Sequence, residues 1–351
     1  MSVTVETHGS IDSEFSAEWD ALADRMRATP WLRPGWFTAW WEAFGGGTLS
    51  IVAFRQDGRL AGVLPLERRR GGYASLANWH TPEFGLLAAD GDAHELAGKF
   101  LALRPQTVTL RFVDPQSPGF LACLEAARAA QYLVLSRPLE RSPYIEIDGD
   151  WEAYERRRGR KLVGELRRRR RRLEEQGSLE FAVTDGSDGL DELLDEGFGV
   201  EAAGWKGARG SAIASQASTR RFYQAIARWG AERGVLRLAF LRLDSRAFAF
   251  DFAFEEDGVH YLLKTGFDPQ FGRYAPGMLL RHQMLSRAFS SRLRRYEFLG
   301  ADDSWKLEWA DVTRERLVLQ AFARSPRGVT EWAGWAYGRP LVKRARALAK
   351  R

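Results

Sequence analysis

The sequence predicts an α+β fold made of two repeats of one unit, with mixed sheets flanked by helices. Short apolar strands alternate with runs of helical period along the chain. The eleven residues from Leu49 recur from Leu236 at a constant offset of 187, so that Arg55, Asp57 and Arg59 fall on Arg242, Asp244 and Arg246. Each copy follows an aromatic helical run and precedes an apolar strand.

Phe15, Trp19, Leu22 and Met26 have helical spacing and predict a helix over 14–28. A second, over 34–44, carries Trp36, Trp40 and Trp41 and stops at Gly45-Gly46-Gly47; with Trp31, these tryptophans read as core. Strands at 49–54 and 60–66 flank Asp57-Gly58, a hairpin signal. Helices are expected at 92–104 and 119–130, and strands at 108–113 and 132–135. Residues 151–176 read as one long basic helix ending at Gly177. A strand at 179–183, helices at 188–203 and 218–233, and a hairpin of 236–243 with 247–255 follow. The strand 259–267 then feeds a tight turn, a helix from Met278 and a strand at 295–299. The expected domains are 1–150, 151–325 with the site, and a basic amphipathic tail at 326–351.

With 351 residues, 45% hydrophobic and 28% charged, the chain reads as globular and long enough for two domains. Its single cysteine, Cys123, excludes an intrachain disulfide and favours the cytoplasm. No signal peptide or membrane-spanning run is expected. The five histidines are scattered without HExxH or Cys pairing, so no metal site is expected, and no Walker A or GxGxxG loop is present. Charge is concentrated: eleven Arg and Lys stand against two Glu from Glu155 to Arg172, and six against none from Gly338 to Arg351. The rest is net acidic. Such basic clusters attract phosphates, nucleic acid or an anionic membrane face.

The segment from His260 to Gly277 carries the clearest chemistry. Pro276 suits a first helical position, and Gly277 lets backbone approach a ligand. The first N–H groups of that helix make an anion site suited to a pyrophosphate.

Several segments, in order, resemble the GNAT-like acetyltransferases found with bacterial polysaccharide biosynthesis genes, the CelD or BioF-like group related to the FemAB aminoacyl transferases. They are the stretch from Trp31 to Gly45, the strand from Gly62 to Leu66, the Arg-rich helix, the stretch from Trp205 to Ala212, Tyr274-Ala275-Pro276-Gly277, and Gly300 with the run from Trp305 to Trp309. The resemblance covers roughly residues 15–320. It implies two tandem GNAT-like units (FemAB-like), with an acyl-donor site in the second. It also implies no bound cofactor, acetyl-CoA or another acyl-CoA as cosubstrate, and a small-molecule or saccharide acceptor. The chain departs from ordinary GNAT enzymes in lacking an Arg/Gln-x-x-Gly-x-Gly/Ala loop, whose place Gly272 to Gly277 takes.

On that reading Arg273, Tyr274, Ala275, Gly277 and Met278 bind the donor, and strand N–H groups beside 259–267 stabilise an oxyanion. Asp251, in an apolar strand, is either a general base or a structural acceptor. Lys264, mid-strand, either holds an acidic group or faces solvent. One of Asp302 and Asp303 caps a helix, and the other, with Asp302 favoured, touches the acceptor. Trp205, Lys206, Tyr261, Trp305 and Lys306 are expected on the substrate wall. Two alternatives stay open: aminoacyl transfer from charged tRNA tracked by the arginine helix, and a non-catalytic envelope-synthesis partner. The basic tail has the pattern of an interfacial helix, which would contact the inner membrane surface, or else packs on the body.

Overall fold

A computed structural model of the chain describes residues 3–89, 91–204 and 213–338. In chain order these form β1 (Val3–His8), α1 (Ser13–Arg25), α2 (Pro34–Phe44), β2 (Thr48–Gln56), β3 (Arg59–Arg69), β4 (Gly72–Ser75), β5 (Leu87–Ala88), α3 (Ala93–Ala102), β6 (Thr107–Val113), α4 (Pro118–Ala129) and β7 (Leu133–Glu146). Next come α5 (Trp151–Arg158), α6 (Arg160–Glu174), β8 (Leu179–Thr184), α7 (Leu190–Ala203), α8 (Ala217–Glu232), β9 (Leu236–Leu243), β10 (Arg246–Glu256) and β11 (Val259–Phe267). The chain ends with α9 (Pro276–Ser290), β12 (Arg295–Glu297), α10 (Ser304–Leu307), β13 (Val312–Phe322) and α11 (Pro326–Ala333).

Two compact units result: Met1–Glu140 with Glu315–Arg351, and Arg141–Arg314. The expected boundaries after residues 150 and 325 therefore shift. The physical reason is β13, which the sequence reading did not anticipate: its residues from Leu317 to Phe322 pair antiparallel with β6 and return the chain to the first unit. In that unit the strand order is β1-β2-β3-β4-β6-β13, with β5 also on β3. Trp31, Trp36 and Trp40 are buried in its core, as expected of aromatics at helical spacing.

The second unit orders its strands β7-β12-β11-β10-β9-β8. One face of this sheet packs against α5, α6 and α9 through Ile145, Leu166, Leu173, Leu262, Leu280 and Tyr296. On the other, Tyr223 of α8 meets Phe252 and Trp229 meets Phe254, both edge-on. The expected single helix over 151–176 is two. Gly159 (φ 94°) breaks it in a left-handed conformation that other residues rarely adopt.

The repeat is structural. Asp57-Gly58 and Asp244-Ser245 both take positive φ at the hairpin turn, 51° and 78° against 49° and 67°. The following strand is bulged near Ala61 in one copy and near Phe248 in the other, the same position at the offset of 187. Arg55 donates to Glu18 of the preceding α1 at 2.7 Å, and its counterpart Arg242 to Glu196 of α7 at 2.6 Å.

Candidate functional site

In the second unit the parallel pair β11 and β12 is joined over three residues only: Val259 with Arg295, His260 with Tyr296, and Tyr261 with Glu297. Beyond that point β12 ends, and Phe298 N–H donates to Pro143 of β7 instead (3.0 Å). Leu299 (φ 53°) and Gly300 (φ 59°) then turn the chain away. β11 continues to Phe267 paired with β10 alone, and an extra residue at Leu263 bulges it. A wedge opens where β12 has left the edge of β11 that faces away from β10. Bulges often re-aim a strand beside a site in this way.

At the end of β11, Asp268 caps a 3₁₀ turn, Pro269–Tyr274, accepting from Gln270 N–H (2.9 Å) and from Arg246 (2.7 Å). Ala275 (φ 50°) reverses the chain into α9, where Ala275 O accepts from Met278 and Leu279. Pro276 has no N–H, so Gly277 carries the first donor of the helix. No acid stands in the first turn. A side-chain carbon added at Gly277 would meet nothing closer than Phe267, at 3.4 Å. The start of α9 thus offers the Gly277 N–H and the positive end of a helix dipole.

The residues expected in the site divide between the two faces of the sheet. Asp251, the expected base, lies fully buried under α9, paired with the equally buried Arg281 at 2.8 Å. Its buried ion pair with Arg281 fits the structural-acceptor reading of the two the sequence left open. Burial works against the Arg281 charge, but Asp251 and the Tyr296 hydroxyl outweigh it and raise its pKa. Tyr274 turns its ring into the core, so only its backbone faces the helix start. Arg273 is exposed, its guanidinium 4.7 Å from that ring. Met278 is half-buried. Trp305 packs edge-on against Phe298, with Arg281 5.8 Å from its ring.

Lys306, expected on the substrate wall, is buried: its ammonium donates to Leu299 O (2.8 Å) and Ala301 O (2.6 Å) and pairs with Asp303 (3.1 Å). It shapes the loop after β12, since those carbonyls lie where the chain has left the sheet. Asp302 stays partly exposed and pairs with Arg141. On the opposite face Tyr261 is buried in register with Phe254, and Lys264 is half-buried with its ammonium 5.4 Å from the Tyr223 ring. Trp205 and Lys206 lie outside the described residues, as does the basic stretch 339–351.

The sequence reading missed Glu201, which is buried and accepts from Ile213 N–H at 2.7 Å. Its signal was available: Glu201 falls on the helical stripe of Leu194 and Phe198. Burial, and secondarily the Glu201 charge, pushes the Tyr223 hydroxyl pKa well up. Glu297 was missed too. It is buried at the vertex of the wedge, 3.4 Å from Arg314 and 3.6 Å from Arg295.

Under α9, burial would push the Glu255 carboxyl up, but hydrogen bonds from His260 and Arg287 outweigh it and hold its pKa at about 2. His260 is fully buried and its pKa is lowered by that burial. Both folded pKa values lie below their unfolded ones, so both groups stabilise at neutral pH. The contribution of His260 is lost as pH falls below about 6.5, and that of Glu255 between about 4.5 and 2. We expect the urea midpoint to drop from pH 7 to about pH 3, with Glu255 accounting for about 2 kcal/mol. Glu255→Gln should show a smaller drop. A drop equal to that of the wild type would mean Glu255 is not held as described.

Residues 158–307 match the family described as acetyltransferase (GNAT) domain, a segment that contains β11, α9 and β12. No curated protein matches the chain. Among solved structures, FemX superposes with a TM-score of 0.56 at 12% identity, over 93% of this chain and 98% of its own. The C-terminal domain of an Agrobacterium fabrum protein described as a lysylphosphatidylglycerol synthetase gives 0.57 at 13%, over 91% and 94%. A Bacteroides thetaiotaomicron protein of unknown function gives 0.59 at 12%, over 91% and 100%. At such identities the likeness is one of fold. The chain is an α+β protein with the fold of FemX, and its second unit carries a match to the GNAT acetyltransferase domain.

Proposed function

We propose that the second unit is an acyl-CoA-dependent acyltransferase that acylates an amine or hydroxyl. The observation that carries this reading is the wedge between β11 and β12 opening beside an acid-free helix start. A pantetheine arm laid in the wedge would place its thioester carbonyl against the edge of β11 that β12 has left, where strand N–H groups would stabilise the oxyanion formed on attack. The helix start would hold the pyrophosphate. The acceptor attacks directly: its bond to the acyl carbon forms, the C–S bond breaks and CoA leaves as thiolate. With Asp251 in the core, the acceptor proton passes to water or to Asp302, the partly exposed carboxylate after β12. A covalent relay through Cys123 has no support: that thiol is buried in the other unit and burial pushes its pKa up to about 12.

The acceptor class we propose is an amino sugar or polysaccharide precursor. No helix among the described residues is long and apolar enough to cross a membrane. We place the enzyme in the cytoplasm, with the basic tail against the inner membrane face.

Thermal unfolding with acetyl-CoA, longer acyl-CoAs and free CoA tests the donor. A ligand at 100 times its Kd that binds only the folded state adds about 2.7 kcal/mol. We expect that stabilisation in the wild type and its loss in Gly277→Trp, whose side chain would cover the helix start. No shift with any CoA would transfer the reading to charged tRNA.

A further inference from the structure

We infer that Arg171, Arg172 and Arg273 form a receiving face for the phosphates at the nucleotide end of the donor; this rests on the acyl-CoA reading above. The run from Arg167 to Arg172 is unbroken arginine, yet most of it is neutralised locally. Arg168 and Arg169 pair with Glu165, Arg170 with Glu174, and Arg167 with Glu155 of α5. Arg171 and Arg172 are exposed and have no acidic partner among the described residues.

A chain of contacts ties that end of α6 to the donor helix start. Just past α6, Ser178 N–H donates to the Asp244 carboxylate (2.9 Å) and Asp244 N–H donates to Ser178 O (3.0 Å). Two residues beyond Asp244, Arg246 holds Asp268, the cap of the 3₁₀ turn that carries Arg273 and leads into Pro276. Phe248 stacks on Phe271 in the same turn (4.6 Å), and α6 itself packs against this turn. The end of α6 that carries Arg171 and Arg172 thereby lies at the same end of the sheet as Arg273 and the helix start, and none of the three has an acidic partner among the described residues.

The chemistry of the face favours a compact polyphosphate. The other unpaired cations of the helix, Arg160 and Lys161, sit at its far end, about 15 Å away at 1.5 Å per residue. The open charge is therefore a local group of three, not a continuous track for a nucleic-acid backbone. A bilayer is disfavoured because none of the apolar residues of α6 is exposed for insertion. Arginine forks match phosphate oxygens two at a time.

Titration calorimetry of CoA, 3′-dephospho-CoA and acetyl-pantetheine, at about 50 and 300 mM NaCl, separates the outcomes for wild type and R171Q/R172Q/R273Q. We expect CoA affinity to fall about tenfold or more in the variant, its salt dependence to flatten, and acetyl-pantetheine, which has no nucleotide, to be indifferent to the substitutions. The variant should keep the wild-type melting midpoint. Unchanged CoA affinity and salt dependence in the variant would overturn the inference and leave the acyl-CoA reading standing. No CoA binding by the wild type would end that reading, and this inference with it. Tighter binding of a 20-nucleotide RNA than of CoA, lost in the variant, would assign the face to nucleic acid and overturn the inference.

Discussion

Replacing Asp251 with alanine is expected to destabilise the second unit by about 3–5 kcal/mol, because it leaves Arg281 charged and buried without its counter-ion. Both side chains of the pair are fully buried. Arg281 also donates to the Tyr296 hydroxyl, and its guanidinium lies within 6 Å of the Tyr296, Phe298 and Trp305 rings, so it cannot swing to solvent without unpacking the face under α9. Urea denaturation, followed by a probe in the second unit, checks the value. Removing both charges with Asp251→Leu and Arg281→Met should recover most of the loss, since an apolar pair of similar volume has no charge to desolvate. A loss under about 1 kcal/mol in the single variant would mean that water reaches the pair, and would return Asp251 to consideration as a base.

Gly266→Val should destabilise the same unit by about 2–3 kcal/mol and also weaken donor binding. A Cβ at Gly266 would come within 2.5 Å of the Glu201 Cα. That contact is with backbone, so no rotamer change relieves it; α7 must move off the strand. Gly266 lies in the part of β11 that β12 has left, so a displaced α7 also disturbs the wall of the wedge. Chemical denaturation and CoA titration on the same preparation test both halves. Wild-type values for both would mean that α7 yields freely at Glu201.

Much of the fold was legible because local rules and tertiary context agree. Asp57-Gly58 signals a turn with positive φ, and the chain makes one. The aromatic spacing of α2 signals a buried stripe, and Trp36 and Trp40 are buried. The helix start at Pro276 follows from the fixed φ of proline, whereas the turn before it holds Ala275 at a φ of 50° that alanine does not favour by itself. Where the reading failed, the deciding partner lay far along the chain. β13 has no strong period of its own and is a strand because β6, some two hundred residues earlier, accepts its hydrogen bonds. The break at Gly159 went unread because a glycine in a helical pattern is usually tolerated; here its φ of 94° marks a change of direction.

The site divides in the same way. The order of motifs pointed to the second unit and to the start of α9, since a helix N-terminus without acids is a local property. Roles of single side chains were not local. Asp251 and Lys264 lie on one strand pair but face opposite sides, because a bulge at Leu263 shifts the alternation by one residue. Lys306 looked like a free cation until the chain turn at Leu299 and Gly300 presented it with two carbonyls. By itself the sequence determined the duplicated α+β unit, its hairpins and an acid-free helix start at Pro276, all encoded by residues adjacent in the chain. Which charged groups are buried as partners, and which remain open to a ligand, was decided only by the tertiary structure. A charge is stabilised or exposed by what the folded chain places beside it, and those neighbours are distant in sequence.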